Sequence, residues 1–423
     1  MLALANLAAS ADKAVVAVYA PELRTAFHLN DGQIGALQGG PFLVGYVLAL
    51  LWAGRRGGGA TTGRYIAVCI AFWTVGAVVF ALAPGYAELL AGRLLLAIGQ
   101  AAFAPAAILL LNALYGAAQG DEPGEASGAG AARFVSLFTA ASTVGRSLGL
   151  MLGGALITAA VALAARLPDL APWRLSGLAL LAPNLILLVL FLRSRQVVTT
   201  SAAASGLVET LRHVAGRARP VLIWTVAGCG MILAVQACAA WAPSILHRQF
   251  GVPVGTSGVV IGLITLVAAP LGHLGAGQLV SRSATAFRRS ALLLAAAALL
   301  SAGFAGVVAA STVEALSVAA LAGLMAASGF GAALVLIRIQ PFFPRDLQRG
   351  GNSLFLAATT TFGTAAGPVI TGLVSDHVAA DGGRLPLALA VVTIGAGSVV
   401  ALAALTTVMF QRPSSPTPAS TSA

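Results

Sequence analysis

Charge is scarce in this sequence: only 9% of its 423 residues are Asp, Glu, Lys or Arg, against roughly 25% in a soluble domain. That scarcity excludes an ordinary cytosolic enzyme. Lysine is nearly missing, with Lys13 standing alone beside 23 Arg. Aromatics amount to 6%, and the net charge of +11 sits in short connections between apolar runs. A basic groove interleaved with aromatics is therefore lacking, which excludes a nucleic-acid binder. Cys69, Cys229 and Cys238 each lie inside an apolar run without ligand spacing, so disulfide and zinc-site readings fail. His213, His247, His273 and His377 are scattered and form no metal constellation. No nucleophile–base pair stands out, so an enzyme is not expected and no cofactor is implied.

What is present is apolar: 58% of residues are hydrophobic and 49 are Gly. Breaking the chain at Gly, Pro and charge clusters leaves twelve runs long enough for a helix to cross a bilayer. They fall near 2–22, 33–54, 65–84, 88–115, 132–164, 174–192, 220–246, 256–280, 290–312, 314–340, 352–375 and 386–410. The first run is no cleavable leader, because it lacks a basic start and carries Asp12-Lys13 at its centre. The expected organisation is a six-helix bundle over 1–192, a cytoplasmic linker over 193–219, a second six-helix bundle over 220–412 and a disordered tail over 413–423. Within the linker, 206–217 reads as a short amphipathic surface helix. Alternate loops and the tail hold fifteen Arg against five on the other side, which places both termini in the cytoplasm. The Ala/Gly/Arg bias suggests a bacterial source and hence the inner membrane.

The two halves repeat weakly. Ala20-Pro21 ends the first run and Ala242-Pro243 the seventh, each followed by a polar turn and a Gly-bearing helix. Gly145, Gly149 and Gly153 recur every four residues in the fifth run, and Gly363, Gly367 and Gly372 mark the eleventh. Such series suit close helix approach, and paired halves suit a substrate site at the midplane between them.

Four segments resemble the major facilitator superfamily and, within it, the Spinster-like branch. They are ASADKAVVAVYAPEL in the first run, GRLLLAIGQAAFAPA in the fourth, WAPSILHRQFG at 241–251, and QPFFPRDLQRGGNSLFLAATTTFGTAAGPVITGLVSD at 340–376. Lys13 replaces the branch's usual Arg, and Gln100 its usual Glu. The superfamily's acidic signature between the second and third spans is missing, since no Asp or Glu occurs between Asp31 and Glu88. Loop 8–9 has Ser281-Arg282 where Asp-Arg is usual, and loop 4–5 carries Asp121, Glu122 and Glu125. The resemblance implies an all-α membrane fold of twelve transmembrane helices in two pseudo-symmetric six-helix bundles. It also implies alternating access and an amphipathic, lipid-like substrate such as a lysophospholipid.

An ion buried at mid-bilayer costs about 2.5–3.5 kcal/mol even on permissive scales, so each one needs a reason. Asp12 is the candidate proton carrier, the alternative being that it forms with Lys13 a structural pair that locks the first span to a neighbour. Lys13, next to it, is a candidate substrate anchor that shares a cavity with it. Arg93 and Gln100 lie two turns apart on one face of the fourth span. Arg93 suits either a forked contact to an anion or helix packing, and Gln100 either a ligand contact or an interhelical hydrogen bond. Arg146 is too deep in the fifth span to snorkel, so it faces substrate, Asp12 or a carbonyl. Gln236 and Trp241 complete the candidate substrate set. Arg338, near a helix end, reads as snorkelling. The cationic excess favours an anionic small molecule, and the resemblance implies an amphipathic one, carried by a monomer embedded in the bilayer. The alternatives are a drug, small organic-acid or metabolite carrier of the same fold, or a non-transporting membrane receptor.

Overall fold

The computed structural model describes residues 1–55, 60–116, 125–164, 170–194, 197–199, 204–344, 347–378 and 384–410. The tail expected at 413–423, and Asp121 and Glu122 of loop 4–5, lie outside them. The chain is helical almost throughout, because backbone polar groups in lipid must be satisfied within the segment. In the first half, α1 (Leu2–Ala14) and α2 (Val16–Ala26) run on through Val15 as one span. They are followed by α3 (Asp31–Arg55), α4 (Gly63–Leu82), α5 (Tyr86–Gly116) and α6 (Glu125–Ala164). The pair α7 (Pro172–Ala179) and α8 (Leu181–Leu192) forms the sixth span.

A short antiparallel pair, β1 (Ala60–Thr62) with β2 (Val197–Thr199), ties loop 2–3 to the linker. The pattern of apolar runs gave no sign of it. The linker helix α9 (Ala204–Gly216) lies two residues from where the amphipathic pattern put it. The second half holds α10 (Ala218–Phe250), α11 (Val254–Arg282), α12 (Ala284–Arg288), α13 (Ser290–Ala310) and α14 (Glu314–Ile339). It closes with α15 (Gln348–Ala358), α16 (Ala366–Val378) and α17 (Leu385–Phe410).

Eleven stretches among the described residues are long and apolar enough to cross a membrane. The helix α3, 25 residues long, occupies the place of the predicted second span. Local sequence sets several ends. Asn30 and Gln33 exchange side-chain-to-backbone hydrogen bonds at 2.7 and 3.0 Å, a reciprocal cap that starts α3. Gly251, at φ 69°, ends α10 in the left-handed conformation that a residue without Cβ adopts freely.

Buried apolar residues fall into three clusters. One mixes both halves, joining Tyr19, Leu150 and Ile157 to Trp241, Ile245 and Ile261. The other two belong to one half each: Phe42, Trp73 and Phe103 in the first, Trp224, Leu334 and Phe355 in the second. The halves are therefore welded at the end away from the termini and separate toward the termini. The glycines permit the weld. A Cβ on Gly154 would collide with the carbonyl of Gly255, one on Gly35 with that of Pro368 and one on Gly372 with that of Asp31, all across the halves. Gly145 and Gly149 bring α6 against the backbone of Leu7 and Ala11 in α1 within the first half. The regular spacing read in the sequence is thus close helix packing, as expected.

Candidate functional site

A cavity of about 370 Å³ lies between the halves. Its walls come from α1, α2, α3, α5 and α6 on one side and from α10 and the eleventh span on the other. Among the described residues that line it, two are cations, Lys13 and Arg146, and none is a carboxylate. Its polar lining also includes Asn6, Ser10, Gln38, Gln100, Ser142, Gln236, Thr360 and Thr364, with Phe103, Leu150 and Leu356 as apolar wall.

The candidates separate into those on the wall and those behind it. Lys13 faces the cavity, with its Nζ 4.2 Å from the centre of the Phe42 ring. Arg146 reaches across the divide and donates to Oε1 of Gln236. That partner is neither Asp12 nor a backbone carbonyl, because the helix that faces Arg146 across the cavity is α10. Gln100 lines the cavity and also donates from Nε2 to the Ala9 carbonyl at 2.7 Å, the interhelical bond expected of it.

Asp12 does not line the cavity with Lys13. It turns away, and Oδ2 accepts a 2.6 Å hydrogen bond from Asn184 Nδ2 on α8. The cause is the roughly 100° step between adjacent helical residues. Arg93 is not on the wall either. It is 1% exposed and donates to three backbone carbonyls, those of Leu37, Asp12 and Lys13, at 3.2–3.3 Å. The shared face of Arg93 and Gln100 is real, but it is the face that staples α5 to α1. Trp241 is fully buried and donates its indole N–H to the Pro368 carbonyl at 3.0 Å, outside the lining set.

Sequence reasoning passed over Thr360 and Thr364. They lie in a π-helical turn, Thr359–Ala365, that interrupts the eleventh span. Pro368 has no N–H to return to Thr364, four residues earlier, so the ladder is already broken there. Widened turns of this kind often mark functional positions. The TTTFGTAAGP run, polar and β-branched within an apolar span, was the available signal.

At the far end the halves are latched. Asp31 receives two hydrogen bonds from Arg248, at 2.7 and 2.8 Å, and one from Ser375 at 2.7 Å, while Arg24 stands 3.6 Å away. Asp376 in turn accepts from the backbone N–H groups of Asp31 and Gly32, capping the start of α3. Asp31 precedes the predicted span 33–54. Burial alone would raise its carboxyl, but the Arg248 guanidinium prevails, with Ser375 and Arg24, and holds it below the usual carboxylate range. A depressed carboxylate supports the latch at all pH values above its ordinary pKa and loses that support only as pH falls through the lowered value. The latch is therefore insensitive to pH between about 5 and 8 on account of Asp31.

Breaking it should favour the opposite conformation. Losing the charge-assisted bonds, worth about 1.5–3 kcal/mol, should shift the equilibrium about tenfold or more. In a cysteine-free background, Ser10→Cys should react with an impermeant thiol reagent only from the side of the termini. Adding Asp31→Asn should make it react from the other side as well. Unchanged one-sided labelling would show that the latch does not hold the halves together.

Comparison with known proteins agrees with this architecture. The sequence profile of the Major Facilitator Superfamily matches residues 2–344. A bacterial homolog of the human lysosomal transporter Spinster, inward-facing and occupied, is similar in fold with a TM-score of 0.70. It is 18% identical over 96% of this chain and 93% of that one. The nucleoside transporter NupG gives 0.72 at 13% identity, covering 97% and 98%. A D-xylose–proton symporter gives 0.65 at 14%, covering 94% and 95%. No curated protein matches the sequence. With its profile matched over most of the sequence and two six-helix halves around a central cavity, this chain belongs to the major facilitator superfamily.

Proposed function

We propose that this protein is a secondary transporter that carries a small anionic organic molecule by alternating access. The observation that carries this reading is the charge of the cavity wall: Lys13 and Arg146 face it, and among the described residues no carboxylate does. In a low-dielectric cleft, a wall that carries two cationic side chains favours negative charge. A volume of about 370 Å³ is at the small end of ligand pockets, which run to about 1,000 Å³. The contact between Arg146 and Gln236 joins the two halves across the cavity, so a ligand that captures Arg146 would act directly on the element that moves. The Arg bias of the loops supports termini in the cytoplasm, which makes the latched conformation the inward-facing one.

An amphipathic anion is the second reading. It is supported by Phe103, Leu150 and Leu356 in the wall and by the likeness to the Spinster homolog. Affinity rising steadily along a series of lengthening acyl chains would favour it.

The test uses a panel of carboxylates and phosphate monoesters beside their neutral amides or alcohols, in binding and in vesicle uptake. Lys13→Gln and Arg146→Gln should each weaken the anions by about ten- to a hundredfold, the worth of a charge-assisted contact, and leave the neutral analogues within a fewfold. Equal losses for charged and neutral compounds would overturn the anionic reading.

A further inference from the structure

The arginines nearest the termini include one that the transport cavity does not use. Arg338 ends α14, and its guanidinium lies 4.5 Å from the centre of the Phe287 ring and 5.5 Å from that of Trp224. Those aromatic faces fix the plane of the fork. Its Nε is buried and has no hydrogen-bond partner among the described residues. Beside it is a separate cavity of about 250 Å³, lined by Arg219, Trp224, Arg338, Phe342, Thr406 and Thr407 among others, with no carboxylate in the wall among the described residues. Arg219 is exposed and lies in the first turn of α10, where the helix dipole also favours an anion.

We infer that this groove, where α10, α14 and α17 meet on the side of the termini, binds the phosphate of an anionic membrane lipid. The guanidinium of Arg338 supplies a planar fork matched to phosphate oxygens, and Arg219 a second positive charge from the facing helix. The position argues for a lipid source. Arg219 begins its helix, while Arg338 and Thr406-Thr407 lie near the ends of theirs, so all three elements bring these groups to the depth of the headgroups. Toward the bilayer the same helices expose Leu222 and Leu402, each more than 60% accessible, along with Val226 and Leu405. Acyl chains have an apolar face to lie on directly below the charged groove. Basic pockets between transmembrane helices recognise acidic headgroups by this combination. A bound headgroup would hold α10 to α14 at the end where the two bundles part.

The experiment uses the full-length purified protein, stripped of lipid in a neutral detergent. It is titrated separately with phosphatidylglycerol, phosphatidylcholine and inorganic phosphate, reading thermal stability and lipid retained by native mass spectrometry. Phosphatidylglycerol should be retained and should raise the melting temperature, while phosphatidylcholine and inorganic phosphate should do neither. Arg219→Gln, at an exposed position, should weaken phosphatidylglycerol about tenfold, and Arg219→Gln/Arg338→Gln more. Arg338→Lys keeps the charge without the fork and should fall between wild type and the double variant. Equal retention of the two lipids, or a double variant that still binds phosphatidylglycerol like wild type, overturns the inference. Stabilisation by inorganic phosphate as great as by phosphatidylglycerol overturns the lipid assignment in favour of a soluble phosphate.

Discussion

Arg93→Met should cost more stability than any other single substitution in the first bundle. The guanidinium is 1% exposed and satisfies three carbonyls on two neighbouring spans, those of Leu37 on α3 and of Asp12 and Lys13 on α1. It also stands 4.9 Å from the centre of the Phe42 ring, whose other cationic neighbour is Lys13. Removing it strips three buried acceptors at once, each worth about 1–3 kcal/mol when left unpaired. Arg93→Lys should recover only part of the loss, because one ammonium cannot reproduce a rigid fork of five donors. The measurement is thermal unfolding in detergent, with Arg146→Gln as the control expected to stay near wild type because its side chain faces the cavity. A folded Arg93→Gln of normal melting temperature that had lost anion discrimination would return Arg93 to the substrate site.

The division between wall and scaffold explains what could be read from the sequence. Span positions followed from hydropathy and Arg placement, because bilayer thickness and backbone satisfaction leave few alternatives. The Gly series and the Arg93–Gln100 spacing were legible for the same reason: helical periodicity fixes which residues share a face. Partners across the divide were not legible. Arg146 meets Gln236 ninety positions away, a distance that depends on how two bundles dock. Asn184 drew no notice, as a lone amide in an apolar run carries no pattern, yet it is the group that holds Asp12. Arg338 looked like a snorkelling side chain; its aromatic neighbours Trp224 and Phe287 come from other helices and appear only once those helices are packed.

Asp12→Asn should abolish substrate accumulation driven by a pH gradient and leave downhill exchange largely intact. The expectation rests on what surrounds the carboxyl. Asp12 is the one acidic residue deep within a predicted span. It retains 8% exposure and sits one residue from Lys13, which faces the cavity. Its partner, Asn184, suits both protonation states. Nδ2 donates to the ionised carboxylate at 2.6 Å, while Oδ1 is buried without a partner and could accept from a protonated acid after the amide turns over. A carboxyl held by a neutral amide can thus load and release a proton and keep a hydrogen-bond partner in both states. Asn184→Leu should disturb coupling in the same direction, because the ionised form then loses its donor. Asn184→Gln or Asn184→Ser, which keep a donor and an acceptor, should do so less. The assay is uptake into sealed vesicles with an imposed pH gradient, beside counterflow without one. Uphill transport that survives in Asp12→Asn would show that the carboxyl only fastens α1 to α8, and that the protein is a uniporter, an exchanger or a carrier coupled to another ion.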